Sequence, residues 1–163
     1  MKYLSCLLLL LGLCYPKKTW SEFIDPTSSL VTISSGKYDI FDHGEALFLM
    51  EYRSCYRFRH ALFPLAGFMV TSKGATYFYA GFGIDIPFGK HFALTPTIAA
   101  GIYSKGNGKN LHYPLEFRSA IEAAYIFDSQ VRIGIQLSHI SNASLGKRNP
   151  GAEMLTLDFS FPL

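Results

Sequence analysis

From about Leu30 to the C-terminus, apolar and polar positions alternate along the chain. The alternation comes in eight runs, Leu30–Asp42, Glu45–Phe58, Leu65–Thr71, Ala75–Ile86, Phe92–Tyr103, Leu115–Ile126, Gln130–Ser141 and Glu153–Leu163. Clusters of Gly, Pro, Asn and charged residues separate them, and period-two alternation between such breaks is the signature of strands. No stretch has the period of an amphipathic helix, no segment repeats, and no low-complexity linker divides the chain. In the fourth run Phe78, Ala80, Phe82, Ile84 and Ile86 share one face, opposite Gly81, Gly83 and Asp85. In the fifth, Leu94, Pro96, Ile98, Ala100 and Ile102 oppose Thr95, Thr97, Ala99 and Gly101. In the sixth, Phe117, Ile121, Ala123 and Tyr125 oppose Glu116, Arg118, Ala120 and Glu122.

The second face is small or polar throughout. A soluble core needs branched apolar groups to fill its volume. Gly, Ala and Thr suit the narrow interior of a small barrel whose apolar exterior meets lipid. The pattern therefore predicts an all-β fold, an eight-stranded antiparallel transmembrane β-barrel of the outer-membrane type spanning residues 22–163. Arg118, Arg132, Glu116, Glu122 and Asp158 are expected to pair inside it. Tyr52, Tyr56, Tyr77, Tyr79, Tyr103, Tyr113 and Tyr125 are expected to contribute to interfacial girdles. Pro96 is a blemish, because it removes a ladder donor. Asp128-Ser129 and Pro87–Lys90 make short turns, whereas Ser104–Pro114 and Asn142–Ala152 make long polar loops. Asp42-His43-Gly44 reads as a tight link and breaks that alternation of short and long. With the N-terminus in the periplasm, the Asn142–Ala152 loop faces outward. A soluble lipid-binding barrel is the competing architecture, and the small, polar second face counts against it.

Composition agrees with a membrane barrel. Aromatics make up 15% of the 163 residues, with 10 Tyr and 14 Phe, and such residues favour strands and membrane interfaces. Charged residues make up 17%, below the roughly 25% of globular domains. Residues 1–21 read as a secretory signal peptide: Lys2 supplies the charge, Leu4–Leu13 is too short an apolar run to span a bilayer, and Thr19-Trp20-Ser21 is a cleavage site. A lipoprotein cut at Cys14 is the alternative, with the bulky Leu13 against it. The formal charge of +3 rests on Lys2, Lys17 and Lys18, so the mature chain is neutral and carries no basic patch for nucleic acid. Removal of Cys6 and Cys14 leaves Cys55 alone, without an intrachain disulfide and read as a packed small residue.

Candidate chemistry lies near the C-terminus. His139 and Ser141 sit two residues apart at the end of one run, and Glu153 opens the next. A hairpin with His139 opposite Glu153 also pairs Leu137 with Leu155, Ile135 with Leu157, Ile133 with Phe159 and Val131 with Phe161. Apolar meets apolar along that ladder, which fixes a register. Ser141, His139 and Glu153 then share one face, the parts of an acyl-transfer nucleophile with its base and orienting group. They share parity with the apolar residues, so in a membrane barrel they face acyl chains. Asn142, Ala143 and Ser144 offer backbone N–H groups for an oxyanion hole, and Asn149 adds an amide or holds the loop. His43, His60, His91 and His112 fall at turns or strand ends, and no spacing suggests a metal site.

The segment His139-Ile140-Ser141-Asn142-Ala143 … Asn149-Pro150-Gly151-Ala152-Glu153 resembles the signature of the PagL family of lipid A 3-O-deacylases. Ile140 stands where that family commonly has an aromatic, and Ser144 where it commonly has glycine. The resemblance implies a serine esterase of the bacterial outer membrane that removes the primary acyl chain at position 3 of lipid A. It implies Ser141 as nucleophile, His139 as general base, Glu153 as the orienting carboxylate, and Asn142 and Asn149 around the oxyanion site. Lipid A or lipopolysaccharide would be the substrate and outer-membrane lipid the surroundings. No metal or organic cofactor is implied, and a homodimer is left open. The competing function is a non-enzymatic small barrel, structural or adhesive, acting through Ser104–Pro114 and neighbouring loops.

Overall fold

A computed structural model describes residues 28–42, 44–59 and 61–163. The signal segment 1–21, with Cys6 and Cys14, and the turn histidines His43 and His60 lie outside the described residues. The strands are β1 (Leu30–Tyr38), β2 (Glu45–Arg53), β3 (Leu62–Thr71), β4 (Thr76–Ile84), β5 (Ile86–Phe88), β6 (Phe92–Ser104), β7 (Leu115–Ile126), β8 (Arg132–Ser141) and β9 (Ala152–Pro162). All neighbours are antiparallel. The order β4-β3-β2-β1-β9-β8-β7-β6 closes on itself through a β4–β6 pairing. β4 and β5 are two lengths of one barrel strand, both paired with β6, so the wall has eight strands.

The interruption falls at Asp85. Gly83 pairs with Thr97 and Ile86 with Leu94, so the break lies opposite Thr95 and Pro96. Pro96 has no N–H to donate, and the strand gives way beside it. Asp85 is bound there by Thr95 Oγ1 at 2.8 Å and by Arg132 Nη1 at 3.0 Å.

The expected inversion of faces is present. β2 reads buried and exposed in strict alternation, with Glu51 and Arg53 inside and Phe48, Met50 and Tyr52 outside. Inside, Arg53 pairs with Glu122 at 2.6 Å and Glu51 at 2.9 Å, and Arg118 lies 3.7 Å from Glu51 and hydrogen-bonds Gln136. Glu116 and Asp158 are buried as expected but join no such pair among the described residues; Asp158 accepts from Thr156 Oγ1 at 2.6 Å. Breaking a buried pair of this kind strands a charge, which typically costs about 3–5 kcal/mol.

Several expectations need correction. Tyr77, Tyr79 and Tyr103 are buried inside rather than placed in a girdle, because they share parity with Gly81, Gly83 and Gly101. The Tyr79 ring fills the space that Gly67 leaves empty: a Cβ on Gly67 would stand 2.3 Å from Tyr79 Cζ. Tyr52, Tyr56, Tyr113 and Tyr125 are exposed. β1 ends at Tyr38 rather than Asp42, since Asp39 turns the chain at φ 58° and accepts from the N–H groups of Asp42 and Gly44. The link between β1 and β2 therefore opens on a turn at Asp39, ahead of the expected Asp42-His43-Gly44, of which His43 lies outside the described residues. β2 ends at Arg53 rather than Phe58, so Cys55 is exposed in the turn that follows instead of packed. Val131 precedes β8 and does not pair with Phe161, whose partner is Val31 on β1.

Connections 39–44, 72–75, 105–114 and 142–151 gather at one end of the barrel. Lys109 there binds Asp39 at 2.6 Å, and Asn107 N–H donates to Lys73 O at 2.9 Å. The other end holds the turns at 54–61, 89–91 and 127–131.

Candidate active site on the outer wall

β8 and β9 set the site. The predicted register is observed: His139 faces Glu153, Leu137 Leu155, Ile135 Leu157 and Ile133 Phe159. Ile140 and Ala152, one step out of phase, are fully buried. This forces His139, Ser141 and Glu153 to the outside, since successive side chains leave a strand on opposite faces. His139 Nδ1 lies 3.1 Å from Glu153 Oε1, with both side chains part-exposed, at 45% and 35%. A proton on Nδ1 satisfies that contact and leaves Nε2 with its lone pair.

Gly151 meets the edge of the imidazole. Its φ is 62°, and a Cβ built there would stand 2.7 Å from His139 Cε1. Only glycine combines that backbone with that approach.

The loop after Ser141 is held by one buried asparagine. Asn142 donates through Nδ2 to Leu111 O at 2.9 Å and Arg148 O at 2.8 Å, and through its N–H to Asn149 Oδ1 at 3.0 Å. These donors are spent on structure. Asn149 likewise holds the loop with its oxygen. Ala143 and Ser144 follow at φ 50° and 66°, and Leu145 N–H closes the turn onto Asn142 O at 2.9 Å. Two successive left-handed residues without glycine are uncommon backbone; the bonds of Asn142 on either side hold them there.

Beside the trio runs a groove of ≈ 490 Å³, which His139 and Ser141 line. Its course follows from the cross-strand registers. One row runs Ser141, Phe117, Ala100, Ala80; the adjacent row runs Glu153, His139, Ser119, Ile98, Phe82. Ala80, Ala100 and Ser119 are the small members, and Phe82, Ile98 and Phe117 form the sides. Ser141 ends β8, while Ala100 and Ala80 lie four residues inside the ends of β6 and β4. The groove therefore descends from the loop end toward the middle of the wall. Ser119, opposite His139, and the two alanines escaped the sequence reading. Their small size is visible in the alternation, but their alignment depends on three registers at once.

Of the other histidines, His91 contacts Ile126 O at 3.0 Å and His112 sits in a loop at φ 65°; neither approaches the trio in register. Among the described residues no group of three metal-ligating side chains occurs.

Fold and outer wall together define a small outer-membrane-type barrel that displays a serine, a histidine and a glutamate among apolar side chains. The chain belongs to the lipid A 3-O-deacylase (PagL) family, whose model matches residues 52–162, a span that includes all three. The crystal structure of the outer membrane enzyme PagL is similar in fold, with a TM-score of 0.65 at 19% identity over 82% of this chain and 99% of that one. A de novo designed transmembrane β-barrel gives 0.64 at 8% identity, over 87% of this chain and 100% of that one. Neisserial surface protein A gives 0.56 at 9% identity, with the same coverage. A designed barrel matching this well shows that the likeness reports architecture alone; family membership rests on the sequence match. None of the curated proteins matches the chain in sequence.

Proposed function

We propose that this protein is a lipid A 3-O-deacylase of the bacterial outer membrane that hydrolyses the ester-linked primary acyl chain at position 3. One observation supports this above the others. The His139–Glu153 hydrogen bond stands on the lipid-facing wall beside Ser141, at the head of an apolar groove. A charge-assisted pair exposed among hydrocarbon is costly without a task, and a non-enzymatic barrel gives it none.

In the proposed reaction Ser141 Oγ attacks the ester carbonyl. His139 Nε2 takes the serine proton, and Glu153 steadies the imidazolium through Nδ1–H. The Ala143 N–H, one residue beyond the committed Asn142 amide, and the free Nδ2 of Asn149 stabilise the oxyanion. The tetrahedral species collapses as His139 returns the proton to the sugar alkoxide, leaving an acyl-serine. Water, deprotonated by His139, then releases the fatty acid and restores Ser141. The groove holds the acyl chain, and the Asn142–Leu111 tie fixes the loop above it.

Mass spectrometry of lipid A from cells expressing the parent or Ser141→Ala tests the reading. The parent is expected to remove one acyl chain and the variant none. Equal deacylation by the two proteins excludes Ser141 as nucleophile.

A further inference from the structure

The connections on either flank of the β8–β9 hairpin are tied to the trio and to each other. β1 stops at Tyr38, the partner of Met154, so Glu153 stands one residue past the end of β1. A loop residue takes the place of a strand there: Ile40 N–H donates to Glu153 O at 3.2 Å. Ile40 follows Asp39, whose φ of 58° sets where that N–H points.

On the other flank, Asn142, which follows Ser141, donates through Nδ2 to Leu111 O at 2.9 Å. Lys109, two residues before Leu111, reaches across the mouth to Asp39 Oδ1 at 2.6 Å. Beneath that pair, Tyr103 Oη donates to Lys109 O at 2.8 Å and shares a hydrogen bond with Tyr38 Oη at 3.0 Å. The contacts close a circuit. From Ser141 it runs through Asn142, Leu111, Lys109, Asp39 and Ile40 to Glu153, and the His139–Glu153 bond lies within it. The 142–151 loop joins the same two strand ends through the chain, and the circuit joins them a second time from behind.

We propose that Lys109 and Asp39 are positioning residues for the trio. Their ion pair holds the 105–114 and 39–44 connections in the arrangement that sets Glu153 against His139 and both beside Ser141. The proposal rests on the esterase reading and adds to it two residues that act through others. The pair is the one link of the circuit made by two side chains; the others use backbone at one end or both. Its members are 23% and 5% exposed, so water and salt screen it less than a surface pair.

The test uses the full-length protein in detergent, with kcat and KM for lipid A expressed per folded barrel. Lys109→Met and Asp39→Asn each break the pair, and Asn keeps the shape of the side chain and tolerates the left-handed backbone. Each is expected to lower kcat about tenfold, part of the roughly 100-fold that a misplacement of about 1 Å costs. KM is expected to stay within about twofold, since ground-state binding is untouched. The double variant is expected to lose no more than either single one, because both remove the same link. Lys109→Arg keeps the charge and is expected to remain within about threefold of the parent. Lys73→Met removes the partner of Glu45 at the same mouth, outside the circuit, and is expected to keep the parent's kcat. An unchanged kcat in Lys109→Met, an equal fall in Lys73→Met, or losses that multiply in the double variant overturn the proposal.

A second readout needs no hydrolysis. The nitrogen NMR resonances of the His139 imidazole, assigned by their loss in His139→Gln, report which nitrogen carries the proton. In Ser141→Ala protein they are expected to show a proton fixed on Nδ1. With Lys109→Met added, they are expected to show an average over both nitrogens, and unaltered resonances overturn the proposal. Should Ser141→Ala hydrolyse lipid A as the parent does, the nucleophile is wrong, and the resonances still decide whether the pair positions His139 and Glu153.

Discussion

Replacing Gly151 by alanine probes the site with one carbon atom. The new Cβ would stand 2.7 Å from His139 Cε1 and 3.4 Å from Nε2. Carbon atoms in contact prefer roughly 3.5–4.0 Å, so the imidazole must retreat by about 1 Å. It is anchored at Nδ1 by Glu153 at 3.1 Å, close to the limit of a useful hydrogen bond. A retreat of that size therefore breaks the contact or swings Nε2 away from Ser141. Misplacement by about 1 Å costs on the order of 100-fold in rate. A second cost falls on the backbone, since alanine at φ 62° loses about 1 kcal/mol of stability. Gly89→Ala separates the two. Gly89 has φ 66° and nothing within 4 Å of a built Cβ, and it lies at the far end of the barrel. The assay is fatty-acid release from lipid A in detergent, with the folded fraction followed by heat-modifiable gel mobility. The expected result is a loss of about 100-fold for Gly151→Ala and less than about twofold for Gly89→Ala, at similar stability. Activity of folded Gly151→Ala within about threefold of the parent, or an equal loss in Gly89→Ala, refutes the reasoning.

Glu153→Gln keeps the size of the side chain but removes its charge, and kcat is expected to fall about 10³–10⁴-fold with KM little changed; a kcat within tenfold of the parent argues against an orienting carboxylate. Ala100→Leu raises the floor of the groove and is expected to shift preference toward shorter acyl chains by about tenfold, a methylene or two of discrimination. Relative rates on lipids of different chain length check this, and an unaltered preference places the chain elsewhere. Arg53→Met leaves Glu51 and Glu122 without their shared partner and is expected to cost about 3–5 kcal/mol in urea unfolding from lipid vesicles; an unchanged midpoint contradicts the ion-pair account. Asn142→Ala removes the tie between the two loops, and proteolysis within residues 142–151 is expected to quicken at an intact barrel.

The barrel was legible because a closed antiparallel sheet in lipid repeats one rule at every residue. Parity placed Arg118, Arg132, Glu116, Glu122 and Asp158 inside without knowledge of any partner, and all five are buried. The His139–Glu153 pairing was equally accessible, because a hairpin register depends on two neighbouring runs alone. The tyrosines were misjudged where a compositional habit, aromatics at interfaces, was set above the parity that puts Tyr77 and Tyr79 inside. Pro96 read as a flaw until the neighbouring strand was seen to break opposite it. The groove was hidden for a different reason. Ala80, Ala100 and Ser119 come from three strands, and their alignment with Ser141 and His139 depends on three successive registers, joined by the connections at 89–91, 105–114 and 127–131. Asn142 read as support for the oxyanion site and its loop; the particular tie it makes was hidden, because it depends on Leu111, thirty-one positions away in sequence.

The barrel is solid. Arg53, Arg132, Tyr77, Phe63 and Met69 are all fully buried within it, so traffic along its axis is shut. Whatever the outer wall handles arrives and departs sideways, in two dimensions. For such a catalyst the quantity that governs speed is the mole fraction of substrate in the surrounding sheet, not its amount per volume of buffer. Inert lipid added at constant bulk concentration should slow turnover, and a product left in the same leaflet should linger as a competitor.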